Sequence, residues 1–280
     1  MSWLKAFISS LALSVLTLNV LSAQDSLAVR ASLCNAIYHD IQCVADDASS
    51  FFTSPLRFKQ NEWLYTVGFL GGTALLMTSD DAIHRGIGSE GRSSLNEDFW
   101  DVPTIFGSPV TAAGLAAFTY TMGLVSKDEE IRTTGRLMGE SLLLAGAPVI
   151  IVKWIAGRSR PYTGDGSFRF SGFEWSDAKQ SFPSGHSAMA FALSTVLAER
   201  IDNMWARVGL YGLATLTAIA RAHNNQHWFS DVFVGAGLGL VSGLYVIGRE
   251  HERSSWLAAE ESRIIVRPTA IGVTLTIRLR

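Results

Sequence analysis

The sequence predicts an all-α fold: a six-helix core bundle with a small C-terminal β-hairpin. Two patterns carry that reading. Six apolar runs, each bounded by charged or turn residues, fall between residues 61 and 250. From Val273 to Arg280, apolar and polar residues alternate one by one. A third observation limits the setting. Of 280 residues, 48% are apolar and 17% charged, against about a quarter charged in an average soluble domain. So apolar a chain is not disordered. With 23 basic and 25 acidic residues, net charge −2, it has no electrostatic basis for binding nucleic acid. Mean hydropathy of +0.22 falls between the soluble and the many-span cases.

The elements follow in order. Residues 1–23 read as a signal peptide. Lys5 begins it, an uncharged stretch runs from Ala6 to Val20, and Leu21-Ser22-Ala23 ends it with small residues. The other reading is an uncleaved anchor helix, but the run is shorter than the roughly 20 residues a span needs. Export would place Cys34 and Cys43 in an oxidising compartment, either paired or as two buried thiols. Residues 24–60 form a mixed, polar N-terminal extension without a clear period. The helical region, 61–250, holds the runs Trp63–Thr78, Pro109–Val125, Ser141–Val152, Ser187–Ala198, Val208–Ala220 and Val232–Gly248. Length and Ala/Leu/Gly content make them helices. In the last run Gly235, Gly239 and Gly243 recur every four residues, a small-residue stripe suited to close helix contact in a membrane or a soluble bundle. The tail, 251–280, pairs residues 263–267 with the alternating end as a hairpin, Pro268 lying near the turn.

Three polar clusters carry the chemistry. Lys153 to Pro161 ends the third run. Phe182-Pro183-Ser184-Gly185-His186 opens the fourth. Arg221 to Asp231 joins the fifth to the sixth. An up-down bundle brings all three to one pole, and polar groups converging at one end of an apolar bundle make a site. Lys153, Arg160 and Arg221 supply three cations, and arginine's fork fits phosphate oxygens. Ser184 caps a helix start whose free N–H groups bind anions, with Gly185 admitting a close ligand. His227 and Asp231, four apart, share a face, so a carboxylate can fix the tautomer of a nucleophilic imidazole. His186 is placed to protonate a leaving oxygen.

This arrangement resembles the type 2 phosphatidic acid phosphatases, relatives of bacterial acid phosphatases and vanadium haloperoxidases. Lys153 to Pro161 fits their Lys-x6-Arg-Pro block, and Pro183 to His186 fits Pro-Ser-Gly-His. Arg221, His227 and Asp231 fit the third block, in which Ala220 replaces the usual serine. The resemblance implies that the bundle is of that family's kind. It implies that Lys153, Arg160, Ser184, Gly185 and Arg221 hold phosphate and that His227 attacks phosphorus. Asp231 would orient His227, His186 would act as the acid, and no metal or other cofactor would take part. It implies a phosphatase for phosphomonoesters or diphosphates, chiefly of lipids such as phosphatidate or a polyprenyl diphosphate, with vanadate as inhibitor. The alternatives are a broad-specificity periplasmic acid phosphatase, a vanadate-dependent haloperoxidase, and a non-catalytic envelope protein that binds phosphate or lipid.

Other residues read more plainly. His223 with His227 and Asp231 could ligate a metal, but three adjacent cations argue against it; His223 is a pocket wall. His39, His84 and His251 read as surface residues, Arg158 as a solvated or outer cation, and Asp80-Asp81 and Glu97-Asp98 as loop acids. Phe99, Trp100 and the aromatics of loop 162–182 rim the site, suited to an apolar substrate tail or simply closing the bundle. Basic residues favour the pole opposite the site, which puts the catalytic face outside the cytoplasm. The signal peptide and the charge bias cannot both hold for a six-span bundle: either the runs, mostly 12–17 residues and short for a bilayer core of about 30 Å, do not span and the exported bundle docks on a membrane, or the signal-peptide reading is wrong.

Overall fold

The structure, a computed structural model, describes residues 23–88, 94–261, 264–269 and 272–277. The signal-peptide reading falls on residues outside these. The described residues form eight α-helices: α1 (Ala23–Thr53), α2 (Gln60–Gly88), α3 (Ser94–Phe106), α4 (Pro109–Ser126), α5 (Glu129–Ala156), α6 (Gly185–Ile201), α7 (Met204–His223) and α8 (Phe229–Glu261). The fold is all-α, as read from the sequence, and each apolar run lies inside one helix. At the C-terminus β1 (Ile264–Thr269) pairs antiparallel with β2 (Gly272–Ile277), Ile264 opposite Ile277 and Thr269 opposite Gly272. The chain divides into residues 1–46 and 47–280, and everything below concerns the second unit unless stated.

Two helices replace expected irregular stretches. Most of the extension is α1, missed because its described buried positions are Asp40, Cys43 and Asp47, which follow a helical spacing but are mostly acids. Cys34 and Cys43 are not joined in a disulfide. Nine residues apart on one helix, they are separated by about 13 Å of rise, beyond a disulfide's reach. The second helix, α3, takes up Phe99, Trp100 and the Glu97-Asp98 pair expected in a loop.

Local signals set the other boundaries. The Asp128 side chain accepts the Ile131 amide at the start of α5, and Asn203 accepts the amides of Trp205 and Ala206 at the start of α7. The end of α5 is set by Gly157, at φ 56°, whose amide bonds the Lys153 carbonyl. A Cβ there would also lie 2.5 Å from the Gly172 amide, so the position needs glycine twice over.

The core packs α5, α6 and α8 around Leu137, Met138, Leu144, Leu193, Val196 and Val246, all buried. The glycine stripe of α8 is the seam against α6. A Cβ on Gly235 would collide with the Ser184 carbonyl, one on Gly239 with that of Ala188, and one on Gly243 with the Thr195 side chain. This close approach brings the N-terminal ends of α6 and α8 together, and the Ser184 amide bonds the Asp231 carbonyl at 2.9 Å. At the far pole Asp47 accepts Arg249 (2.8 Å) and Arg253 (2.5 Å), while Arg136 pairs with Glu140 (3.2 Å) and Glu250 (2.5 Å).

The helices are longer than their apolar runs. Glu129–Ala156 and Phe229–Trp256 are each long and apolar enough to cross a membrane. The pair Phe99–Phe106 and Pro109–Ser126, bent by 54°, adds a third candidate span. The run lengths understate them because polar residues such as Glu140 and Arg249 lie inside the helices and turn inward.

Candidate active site

Beyond Gly157 the chain doubles back on itself. Arg158 bridges Phe170 in an antiparallel pair, the Ser159 amide bonds the Arg169 carbonyl, and the Ser181 amide returns to the Arg158 carbonyl at 3.0 Å. This loop carries Arg158, Arg160 and Ser181 to the starts of α6 and α8. The three sequence clusters therefore meet at one pole.

Three cations and two histidines converge there. Arg221, Lys153 and Arg160 all act electrostatically on His186, and Lys153 and Arg160 act on His227. Lys153 donates to the Gln180 carbonyl. Arg160 donates to the Asp177 carbonyl (2.8 Å), the Asp177 carboxylate (2.8 Å) and the Gln226 side chain (2.6 Å). Arg221 differs: its buried Nε has no hydrogen-bond partner among the described residues. Burial, then Arg160, pulls its pKa down to about 10. A desolvated guanidinium beside other cations is costly, and an anion would relieve it.

The start of α6 faces the same space. Ser184 caps it, its side chain accepting the Ser187 amide at 3.4 Å and the Ser187 hydroxyl at 3.0 Å. The amides of Gly185 and His186 lie in the first turn, where no intrahelical acceptor exists. A Cβ on Gly185 would meet only Val149, at 3.6 Å, so nothing in the protein itself requires glycine there.

His227 is buried in the link before α8 rather than on a helix. The stripe expected of His223, His227 and Asp231 is thus interrupted between α7 and α8. Nδ1 of His227 lies 2.7 Å from the Ser181 carbonyl oxygen. A carbonyl only accepts, so Nδ1 carries the proton and Nε2 keeps its lone pair. Asp231, expected to hold this nitrogen, is 3.8 Å from it, too far for a hydrogen bond. Its oxygens are taken by Arg158 (2.5 Å), the Trp228 amide (2.8 Å) and the Ser181 hydroxyl. Asp231 thus reaches back from the first turn of α8 like a capping-box acid and fixes Ser181, which fixes His227.

Burial first, aided by Lys153 and opposed by Asp231, lowers the His227 pKa to about 3. Burial, then Arg221, Lys153 and Arg160, lowers that of His186 to about 4. With the site empty, both imidazoles are neutral at pH 7.

Several plainer readings change. Arg158 is not solvated: it is fully buried, with its guanidinium on Asp80 (2.8 Å), Asp231, Ser230 (2.8 Å) and the Ser167 carbonyl. Phe170, Trp228 and Phe182 surround it, ring centroids 5.4–6.0 Å away. Asp80 and Asp81 lie on α2, not in a loop, and Asp80 is buried. His84 is half-buried with its ring 5.3 Å from that of Trp228. His223 stacks on Trp100 at 5.0 Å, a wall of the site built with α3. His39 is 66% exposed and His251 is exposed. Ala220, at the family's serine position, is fully buried. No group of three His, Cys, Asp or Glu placed to hold a metal occurs among the described residues.

Sequence reasoning missed Ser181, Asp80 and the reach of Arg158. Arg158 lies inside the Lys-x6-Arg block, which gave it a place but no role. Ser181 acts through its backbone, and Asp80 is more than 70 residues from its partners.

The chain is similar to known proteins over part of its length. Residues 135–254 match the PAP2 superfamily. Over 104 residues the chain is 38% identical to the lipid A 1-phosphatase of Porphyromonas gingivalis; the match covers 36% of this chain and 20% of that protein. The chain thus spans about a fifth of that relative's length. Two solved structures are similar. LpxE of Aquifex aeolicus has a TM-score of 0.48 and 25% identity over 60% of this chain and 94% of that one. The transmembrane PAP2-type phosphatidylglycerolphosphate phosphatase of Bacillus subtilis has a TM-score of 0.49 and 20% identity over 66% and 96%. The stretch that matches the PAP2 superfamily, residues 135–254, contains all three motif blocks.

Proposed function

We propose that this protein is a lipid-phosphate phosphatase that works through a phosphohistidine. The observation that carries the reading is the unpartnered, buried Arg221 Nε among Lys153, Arg160, His186 and His227. Such a cluster fits a phosphoryl group, whose transfer is catalysed by positioning and charge. Lys153, Arg160, Arg221 and the first amides of α6, capped by Ser184 and opened by Gly185, hold the phosphate oxygens. Nε2 of His227 attacks phosphorus, and the bond to the leaving oxygen breaks as His186 gives that oxygen a proton. Water then attacks the phosphohistidine, His186 takes its proton, and the N–P bond breaks to release phosphate. No metal enters the scheme.

The lipid reading rests on the surface. Around the pole Trp154, Phe168, Phe173 and Trp175 are exposed, with Trp154 against Phe173 (5.0 Å) and Trp175 (6.2 Å). Such rings suit a membrane interface and an acyl chain. The outer faces of the candidate spans are also apolar: Leu143, Ile150, Ile151 and Ile155 on α5, Val241 and Leu244 on α8 are exposed. So large an exposed apolar surface marks a membrane contact. We therefore read α5 and α8 as membrane-spanning, with a lipid phosphate as partner. In this reading α2 and α4–α8 make the six-helix core of a phosphatase domain over 61–250. Residues 24–60 form the extension and 251–280 a tail with its hairpin.

Purified protein is expected to release phosphate from phosphatidate, a polyprenyl diphosphate or a lipid A phosphate faster than from a soluble aryl phosphate. Orthovanadate should inhibit, and EDTA should not. Loss of activity in EDTA, or preference for the aryl ester, would contradict the reading. In the same assay the pH profiles should separate. The empty site holds the His186 proton only below about pH 4. A bound phosphate dianion offsets the three cations and raises that value. The basic limb of kcat, which reports the complex, should therefore lie at higher pH than that of kcat/KM.

Orientation follows from charge. Lys127, Arg132, Arg136, Arg200, Arg207, Arg249 and Arg253 lie toward the pole opposite the site, against Arg85, Arg158, Arg169 and Lys179 among the described residues on the catalytic side, where Arg158 is buried between carboxylates. The positive-inside bias then puts the catalytic pole on the periplasmic side of a bacterial inner membrane. Reporter fusions near residues 128 and 170 test this: export of only the second is expected, and export of only the first would reverse the assignment.

A further inference from the structure

We infer that Asp80 is a positioning residue of the active site, holding the catalytic end of α8 in register through Arg158 and Ser230. It lies on α2, outside the stretch matched to the superfamily. The inference rests on the phosphohistidine reading above.

Each Asp80 oxygen is engaged at a group next to the machinery. Oδ1 accepts the Ser230 amide at 2.9 Å. Oδ2 accepts the Ser230 hydroxyl at 2.5 Å and an Arg158 nitrogen at 2.8 Å. The other terminal nitrogen of Arg158 donates to Asp231 at 2.5 Å and to the Ser230 hydroxyl at 2.8 Å. Arg158 Nε is taken by the Ser167 carbonyl at 2.8 Å, and Asp81 accepts the Ser167 hydroxyl at 2.8 Å. Asp80, Arg158, Ser230 and Asp231 are all fully or almost fully buried.

The consequence is directional. Arg158 is a planar fork between two carboxylates, so the position of one sets the other. Asp231 in turn holds the Ser181 hydroxyl and the Trp228 amide, and the Ser181 carbonyl holds His227 Nδ1. Asp80 is thus four contacts from the nucleophile and touches neither substrate nor phosphate. Without its charge, Arg158 keeps Asp231 as its one carboxylate partner, and an amide at position 80 sets an NH2 donor against either the Ser230 amide or the Ser230 hydroxyl and Arg158. The imidazole would then be misaimed while the phosphate cradle of Lys153, Arg160 and Arg221 stays intact.

The test is Asp80→Asn, nearly isosteric and without the charge, in full-length protein in detergent, assayed on phosphatidate beside wild type, Asp80→Glu and His227→Ala. Asp80→Asn is expected to lower kcat by about 10²-fold, the loss that follows a misplaced reacting group, with KM within about twofold. Its thermal midpoint should lie within a few degrees of wild type. Asp80→Glu, which restores charge on a longer arm, should recover part of kcat. A loss of folded protein would also lower apparent kcat at constant KM, so kcat is expressed per folded molecule, the folded fraction being read from the amplitude of the thermal transition. Unchanged kcat in Asp80→Asn, or a kcat that falls only with the folded fraction, overturns the inference while leaving the mechanism standing. Wild-type activity in His227→Ala, or none in wild type, overturns the underlying reading and the inference together.

Discussion

His227→Ala lowers phosphate release by about 10⁴-fold or more, the scale expected when a group that forms the reacting bond is removed. The reason is local. His227 is the imidazole whose tautomer is fixed by a 2.7 Å bond to the Ser181 carbonyl, and burial keeps it neutral, so Nε2 is a ready nucleophile. Alanine removes that atom and leaves Lys153, Arg160 and Arg221 in place. The variant should therefore still bind orthovanadate or inorganic phosphate while failing to turn over. Isothermal titration beside a phosphate-release assay reads both. Activity within tenfold of wild type would mean that another group attacks.

The largest effect on stability is expected at Arg158. Its guanidinium lies between Asp80 and Asp231, and all three side chains are fully buried. Removing the cation that lies between two buried carboxylates costs about 3–5 kcal/mol, because each remaining charge keeps its desolvation and loses its partner. Arg158→Ala leaves two such carboxylates and opens a space between Phe170, Phe182 and Trp228. It should lower unfolding free energy by that amount, read by denaturant or thermal unfolding in detergent. Asp80→Asn in the same chain removes one unpaired charge and should restore part of the loss, a non-additivity that a double-mutant cycle reads directly. A loss below about 1 kcal/mol, or strict additivity, would mean that the cluster is solvated.

These two predictions show what the sequence could and could not convey. His227, His186 and the three cations were legible because each lies beside a helix boundary within a short motif, and an up-down bundle alone brings those boundaries together. The α6–α8 seam was legible too, since three glycines four residues apart have one geometric use. The arrangement behind the site was not. Ser181 orients His227 with a carbonyl oxygen, an atom every residue has. Asp231 follows the expected spacing but spends its oxygens on Arg158, Trp228 and Ser181. Asp80 looked like a loop acid, and Arg158 like a solvated or outer cation, because a charged residue is rarely buried and their pairing spans most of a hundred residues. The helix α1 escaped notice for the same reason: its buried positions include Asp40 and Asp47, so hydrophobic periodicity had nothing to find.

The central claim is that phosphorus passes through His227. Rapid acid-free quenching of wild type with a ³²P-labelled lipid phosphate, followed by peptide mapping, tests it most directly. The account predicts an acid-labile, base-stable label on the peptide carrying His227, lost in His227→Ala and accumulating in His186→Ala supplied with a substrate whose leaving group needs no proton. Label on any other residue, or turnover without a labelled intermediate in both proteins, would contradict it.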